Sequence, residues 1–151
     1  QLSKKKRGSK SKERQRRKVG ATHERVANTR KDHLHKVTTE IVKNHDVICI
    51  EDLAVRNMLK NHCLAQAVSD VGLGTFYAML EYKAGWNDKE VVKIGRFFPS
   101  SKTCGDCGHI NQDLLLKHRA WDCISCGAKH GRDLNAARVI LAQGQVLRAA
   151  A

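Results

Sequence analysis

Two cysteine pairs, Cys104/Cys107 and Cys123/Cys126, with fifteen residues between them, constrain this chain more than any other feature. A Cys-x2-Cys pair sets two thiols about one tight turn, so that both sulfurs can point at a common ion. Two such pairs supply the four soft ligands of a closed tetrahedral zinc site. Gly105 and Gly108 flank the first pair and Gly127 follows the second, where the chain must turn sharply. Two disulfides would use the same residues. Zinc is the expectation, because the spacing is that of a zinc ribbon and nothing in the chain suggests an oxidising compartment. Four cysteines leave no open position for water, so such a ribbon is structural rather than catalytic.

The length of 151 residues, 41% of them hydrophobic and 5% aromatic, allows one modest core beside a small metal-stapled module. No run approaches the ~20 apolar residues of a membrane-spanning helix, and no early apolar segment resembles a signal peptide. A cytoplasmic home without a membrane partner is expected, where thiols stay reduced. The chain starts with glutamine, which fits a fragment or a processed product.

Charge is unevenly spread: residues 1–18 hold ten Lys/Arg against one Glu, and so carry +9 of the net +13. Lys4, Lys5, Lys6, Arg7, Lys10, Arg14, Arg16, Arg17 and Lys18 suit a phosphate backbone, where counterion release drives affinity without sequence preference. DNA or RNA is the partner this implies. A solvated arm that touches nothing would have the same composition.

Taken in order, the first eight residues read as a mobile arm. From about Ser11 to Asn44 the period is helical, with Val19, His23, Val26, Arg30, Leu34, Val37 and Ile41 on one stripe. His23 and Arg30 interrupt that stripe, which points its first half at a partner rather than a core. A long basic helix or a helical hairpin follows. The run 46–53 predicts a strand buried on both faces, as in a parallel sheet, ending in Glu51 and Asp52. Acids at the C-terminal edge of a parallel strand stand where α/β sheets place ligands, or they mark the return to solvent. Cys49 reads as a packed thiol, and the adjacent His62 and Cys63 as surface residues. A connection or short helix over 55–67 precedes a second helix over 68–84, with Val68, Val71, Phe76, Met79 and Leu80 inward. Residues 90–94 predict a further strand. A last helix over 134–143 places Ala137, Ile140 and Leu141 inward, ends near Gly144, and has Asp133 at its N-cap.

Several stretches stand in one order: Ile50-Glu51-Asp52-Leu53, Glu81-Tyr82-Lys83-Ala84, Pro99-Ser100-Ser101-Lys102-x-Cys104, Cys107-Gly108, Arg119-x-Trp121-x-Cys123 and Arg132-Asp133-x-Asn135-Ala136-Ala137. With Asn28-x-Arg30-x-Asp32-x-Leu34-His35-Lys36 they cover nearly the whole chain. Together they resemble the C-terminal part of the TnpB (OrfB) proteins, transposon-encoded relatives of the compact RNA-guided CRISPR nucleases.

The resemblance implies an α/β fold. It would be a partial RNase H-like (RuvC-like) nuclease domain with an inserted four-cysteine zinc ribbon and a long basic N-terminal helix. The divisions would be a basic arm and helix over 1–45, a partial core over 46–98, the ribbon over 99–130, and the last nuclease motif with its helix over 131–151. It also implies three carboxylates holding catalytic Mg²⁺, with Glu51 as the second-motif acid, Asp133 as the third-motif acid and Arg132 beside the scissile phosphate. Guide RNA and DNA would be the partners. If the last helix packs on the sheet, Glu51 and Asp133 can converge at one edge.

The departures matter as much as the match. No stretch upstream of Glu51 resembles the family's first-motif aspartate, since Asp32 lies in a charged helix and Asp46 begins a strand. Gly131 stands where the family often has an acid. Three readings follow: a piece of an RNA-guided endonuclease inactive alone, a non-catalytic zinc-ribbon module binding DNA or RNA, and a ribosomal or transcription-type ribbon. The last leaves Glu51 and the Arg132–Ala137 run without a purpose.

Overall fold

The computed structural model describes residues 2–115 and 117–150. Helix α1 (Lys10–Asn44) opens at Ser9, whose hydroxyl accepts from the Lys12 N–H at 3.2 Å. The alternative of a hairpin falls away, because the helix passes through Gly20 unbroken. Its first two thirds are solvent-exposed, braced by the i,i+4 pairs Glu13–Arg17 (2.6 Å) and Asp32–Lys36 (2.7 Å). Only the last third packs, where Thr38 and Val42 are buried.

Strands β1 (Val47–Glu51) and β2 (Glu90–Ile94) pair in parallel, with Cys49 opposite Val92 and Glu51 opposite Ile94. Between them run α2 (Val55–Met58), α3 (Ala65–Val71) and α4 (Leu73–Trp86). The single helix expected over 68–84 is thus two, since the chain takes a left-handed turn at Gly72 (φ 67°). Val71, expected inward, is 64% exposed for the same reason. Helix α5 (Arg132–Ala149) follows a two-stranded antiparallel ribbon of β3 (Ala120–Asp122) and β4 (Lys129–Gly131).

Strand alternation places a helical layer on each face of the parallel pair. Ile48 and Val91 pack with Val42, Leu80, Ala84, Ile41 and Phe76 of α1 and α4. On the other face Gly144 of α5 lies against Cys49 and Val92, and Arg148 Nε reaches Glu90 Oε2 at 2.7 Å. Helix α5 therefore runs antiparallel to the strands. It also runs past Gly144 to Ala149, because Gly144 serves as the point of closest approach rather than as a stop signal. Its buried residues are Asn135, Val139 and Gly144, in place of the Ala137, Ile140 and Leu141 expected from periodicity. β1 is half-exposed rather than buried on both faces, for among the described residues its sheet has two strands.

One buried cation ties α4 to α1. Lys83 Nζ donates to the His35 carbonyl (2.7 Å), Thr38 Oγ1 (2.8 Å) and Thr39 Oγ1 (2.7 Å). Three oxygens match its three N–H bonds, and burial pushes its pKa down.

The contact at Gly144 gives a stability test. An added Cβ would run into Cys49 Sγ, with Cys49 Cβ at 2.9 Å. Gly144→Ala is expected to destabilise by about 1–3 kcal/mol in chemical denaturation, an overpacking cost. Adding Cys49→Ala should recover part of that loss, since it removes the sulfur and leaves the Cβ. Wild-type stability in Gly144→Ala would show that β1 and α5 do not approach this closely.

Candidate metal centre and acidic edge

The two cysteine turns are built alike. Gly108 N–H donates to the Cys104 carbonyl (2.9 Å) and Cys104 N–H to that of His109 (2.8 Å). Gly127 and Ala128 repeat this around Cys123, both at 2.8 Å. Gly108 and Gly127 take positive φ (76° and 74°), which closes each loop behind its sulfurs. Gly105 does not; its lack of a side chain serves a different purpose, because an added Cβ would lie 3.0 Å from Asn135 Oδ1.

The four sulfurs lie within 4.8 Å of one another, with Cys104–Cys126 and Cys107–Cys123 both at 3.7 Å. Those edges are far beyond a disulfide bond of about 2 Å. A tetrahedron with metal–sulfur bonds of about 2.3 Å has edges of about 3.8 Å, so the donor set fits zinc in both chemistry and size. Cys104 and Cys123 are buried; Cys107 and Cys126 are exposed. Burial raises the Cys104 thiol. Burial also pushes Cys123 up, but the N–H groups of Cys126 and Ser125, with the Cys126 and Cys107 thiols, bring it down to about 7. Cys126 is lowered by the Ala128 N–H, yet Cys107, burial, Cys123 and Cys104 together carry it up to about 12. Around the sulfurs, Cys104, Leu114, Trp121 and Cys123 make a small core of their own with Ala128.

Contacts from β4 and from the first turn of α5 hold the Cys104 turn and the ribbon end of the helix together. Arg132 N–H donates to the Arg119 carbonyl at 2.8 Å. His130 of β4, buried against Trp121 at a ring separation of 4.8 Å, brings Nε2 to 3.0 Å from Cys104 Sγ. Asn135 bonds the backbone on either side of Cys104. Sequence reasoning gave His130 and Asn135 no role. The available signal was an asparagine inside a helix of better helix formers, which calls for a side-chain partner.

The acidic pair at the end of β1 divides. Asp52 returns to solvent in an ion pair with Arg96 at 2.6 Å. Glu51 is half-buried and accepts from the hydroxyl of buried Ser100, the serine of the Pro99-Ser100-Ser101 stretch. Tyr77 stands near enough that, after burial, the Glu51 charge raises its phenol. Asp133 is not the N-cap. That position is Gly131, and Asp133 lies in the first turn, 81% exposed and 4.0 Å from Arg119. Because α5 runs antiparallel to β1, both acids stand at the C-terminal end of the strands. The ~16 Å of helix from Gly144 back to Asp133 exceeds the ~7 Å from Cys49 to Glu51, so Asp133 stands beyond Glu51, on the ribbon side. Among the described residues the four cysteines form the one group of three or more potential metal ligands, and neither acid belongs to it. Arg132 is half-buried beside Asp133.

Of the basic residues, Lys4 to Arg7 lie in turns before α1, and Lys10, Arg14, Arg16, Arg17 and Lys18 on its first turns. Lys5 donates to Ser11 Oγ and Arg17 pairs with Glu13, both at 2.6 Å. His62 and Cys63 are exposed as expected, with Cys63 Sγ 3.3 Å from His62 Nδ1. No described helix is long and apolar enough to cross a membrane.

Fold and site together define an α/β domain with a four-cysteine ribbon inserted ahead of its last helix. Residues 74–140 match the family described as "Cas12f1-like, TNB domain", and residues 1–62 one described as "Probable transposase". A "Putative RNA-guided DNA endonuclease" of Streptomyces pristinaespiralis is 49% identical over 143 residues, 95% of this chain and 35% of the relative. Its namesake InsQ of Escherichia coli is 35% identical over 164 residues, 99% of this chain and 40% of the relative. A TnpB-like protein of Acanthamoeba polyphaga mimivirus is 36% identical over 131 residues, 81% of this chain and 24% of the relative. The fold is similar to that of the protein in a cryo-EM structure of a Cas12f1–sgRNA–target DNA complex, at TM-score 0.62 and 20% identity, over 81% of this chain and 36% of that one. The chain belongs to the TnpB (OrfB) family and spans well under half the length of these relatives.

Metal removal tests the centre. Cys104→Ser, Cys123→Ser or chelation of the wild-type chain is expected to release zinc and unfold residues 100–130. Trp121 is 7% exposed and Trp86 79%, so in a Trp86→Phe background the emission should shift to the red as Trp121 reaches water. Bound sulfurs are thiolates, so protons compete with the metal, and zinc retention should fall as the pH is lowered. An unaltered melting curve after chelation would count against the assignment.

Proposed function

We propose that this chain is the C-terminal part of an RNA-guided DNA endonuclease. In the intact protein Glu51 and Asp133 would serve as two of the carboxylates for phosphodiester hydrolysis, with Arg132 at the scissile phosphate. The observation that carries this is the antiparallel seating of α5 on β1, which sets Asp133 and Glu51 at the same end of the sheet. Their oxygens are hard donors suited to magnesium: Glu51 has Ser100 as its hydroxyl partner, and Asp133 is open to solvent. When bound, magnesium activates water and stabilises the leaving oxygen. The ribbon would hold zinc as a structural ion. Lys4, Lys5, Lys6, Arg7, Lys10, Arg14, Arg16, Arg17 and Lys18 would track the backbone of guide RNA or DNA, while guide pairing supplies sequence choice.

A second reading is favoured by one observation: among the described residues neither Glu51 nor Asp133 belongs to a group of three or more potential metal ligands. The chain by itself would then be a zinc-ribbon module that binds nucleic acid without cutting it. Both readings meet in one experiment with single-stranded DNA, magnesium and an Asp133→Ala control. The chain alone is expected to bind without cleaving. Its affinity should fall by about 10³-fold or more between ~50 and ~200 mM salt, and Asp133→Ala should bind as the wild type does. Magnesium-dependent cleavage abolished by Asp133→Ala would show that the residues present complete the site. Salt-independent binding would remove the basic segment from the interface.

A further inference from the structure

Asn135 and His130 grip a single ligand turn of the ribbon from either side of Asp133. Asn135 is 2% exposed. Its Oδ1 accepts from Gly105 N–H (2.9 Å) and its Nδ2 donates to the Thr103 carbonyl (2.7 Å), so one side chain spans the backbone before and after Cys104. His130 Nε2 stands 3.0 Å from Cys104 Sγ. Once Cys104 is a thiolate on a metal, its sulfur can only accept, and Nε2 must carry the hydrogen. Three contacts from two residues therefore converge on Cys104.

The first turn of α5 is held to the ribbon by polar contacts, Asn135 and the Arg132 N–H on the Arg119 carbonyl. Its N-cap is Gly131, with no side-chain cap. Leu134 is 63% exposed, and the next buried anchor is Val139. If the Cys104 turn opens, the amide of Asn135 loses both partners, and with them the contacts that hold the first turn of α5 against the ribbon. Conversely, a displaced helix start leaves Gly105 N–H and the Thr103 carbonyl unpaired beside the metal ligand.

We propose that His130 and Asn135 are positioning residues that join metal loading of the four cysteines to ordering of the first turn of α5, so that the metal sets where Asp133 stands. The consequence for nucleic-acid chemistry rests on the reading of Asp133 above; the coupling does not.

Hydrogen exchange on the full chain, zinc-loaded and chelated, tests the coupling. Chelation is expected to speed exchange by about ten-fold or more at the amides of residues 134–139, while β1, β2 and residues 144–148 change little. In Asn135→Ala the zinc-loaded chain should already exchange fast at 134–139, although cobalt in place of zinc still gives its thiolate charge-transfer band. Asn135→Asp, which keeps only the acceptor, should fall between. His130→Phe should shift the cobalt band and hasten zinc loss to a chromogenic chelator. His130→Gln, which returns an N–H near the place of Nε2, should restore both. Equal exchange at 134–139 with and without zinc in the wild type overturns the proposal, as does full protection in Asn135→Ala. The expected exchange pattern together with Asp133-independent cleavage would sink the catalytic reading and leave the coupling standing.

Discussion

Four sulfurs within 4.8 Å of one another are a repulsive arrangement unless a cation sits among them. As thiolates they repel; as thiols they are bonded unequally. At Cys123 burial is overcome by nearby N–H groups and thiols, which bring it down to about 7, while at Cys126 the Ala128 N–H is outweighed by neighbouring thiols and burial, which carry it up to about 12. The ribbon has little with which to oppose this. Its strands are three residues each, and its core is Leu114, Trp121 and the two buried cysteines. A core of that size cannot hold a chain of about thirty residues folded, so ion binding and ribbon folding are one process.

The ion's influence does not stop at the ribbon, because α5 belongs to two packing units. Its far half is set by hydrophobic contact: Val139 is buried and Gly144 lets Cys49 and Val92 approach closely. Its near half is set by polar contact, through Asn135 and the Arg132 N–H. The two kinds of contact differ in reach. Packing against the sheet is set by the fit of shapes, whereas an amide bonded in both directions fixes orientation as well as distance. The end that carries Asp133 has the polar anchor.

The extent to which this was legible in the sequence follows the physics of each signal. The cysteine turns were read from spacing, because a chelate ring fixes geometry locally and admits few alternatives. β2 was read residue for residue, since its β-branched run is bounded by turns and has no competing period. Helix α5 was misread at both ends and on its inward face. Periodicity finds the apolar stripe, but the buried positions are an asparagine, a valine and a glycine, chosen for a hydrogen bond and a close approach rather than for apolar bulk. Gly72 likewise counts in sequence as a weak helical residue, and only the left-handed backbone shows that it ends one helix and starts another. Glu51 and Asp52 are equivalent in sequence. Arg96 and Ser100, each more than forty residues away, tell them apart.

The parallel pairing of β1 and β2 explains why two acids so distant in sequence share one end of the molecule. A parallel pair demands a long crossover, here filled by α2, α3 and α4. A helix laid antiparallel across that pair must begin at the strands' C-terminal end, where Glu51 already stands. Proximity to the edge therefore follows from topology and needs no special contact between the acids. A ligand set is a stricter matter, because magnesium asks for several oxygens at about 2 Å. Two strands offer few edge positions, and among the described residues one carboxylate closes β1 and another opens α5. The half-exposed β1 has a hydrogen-bonding edge that β2 does not use. A parallel strand added there would carry its own C-terminal end to the side of Glu51.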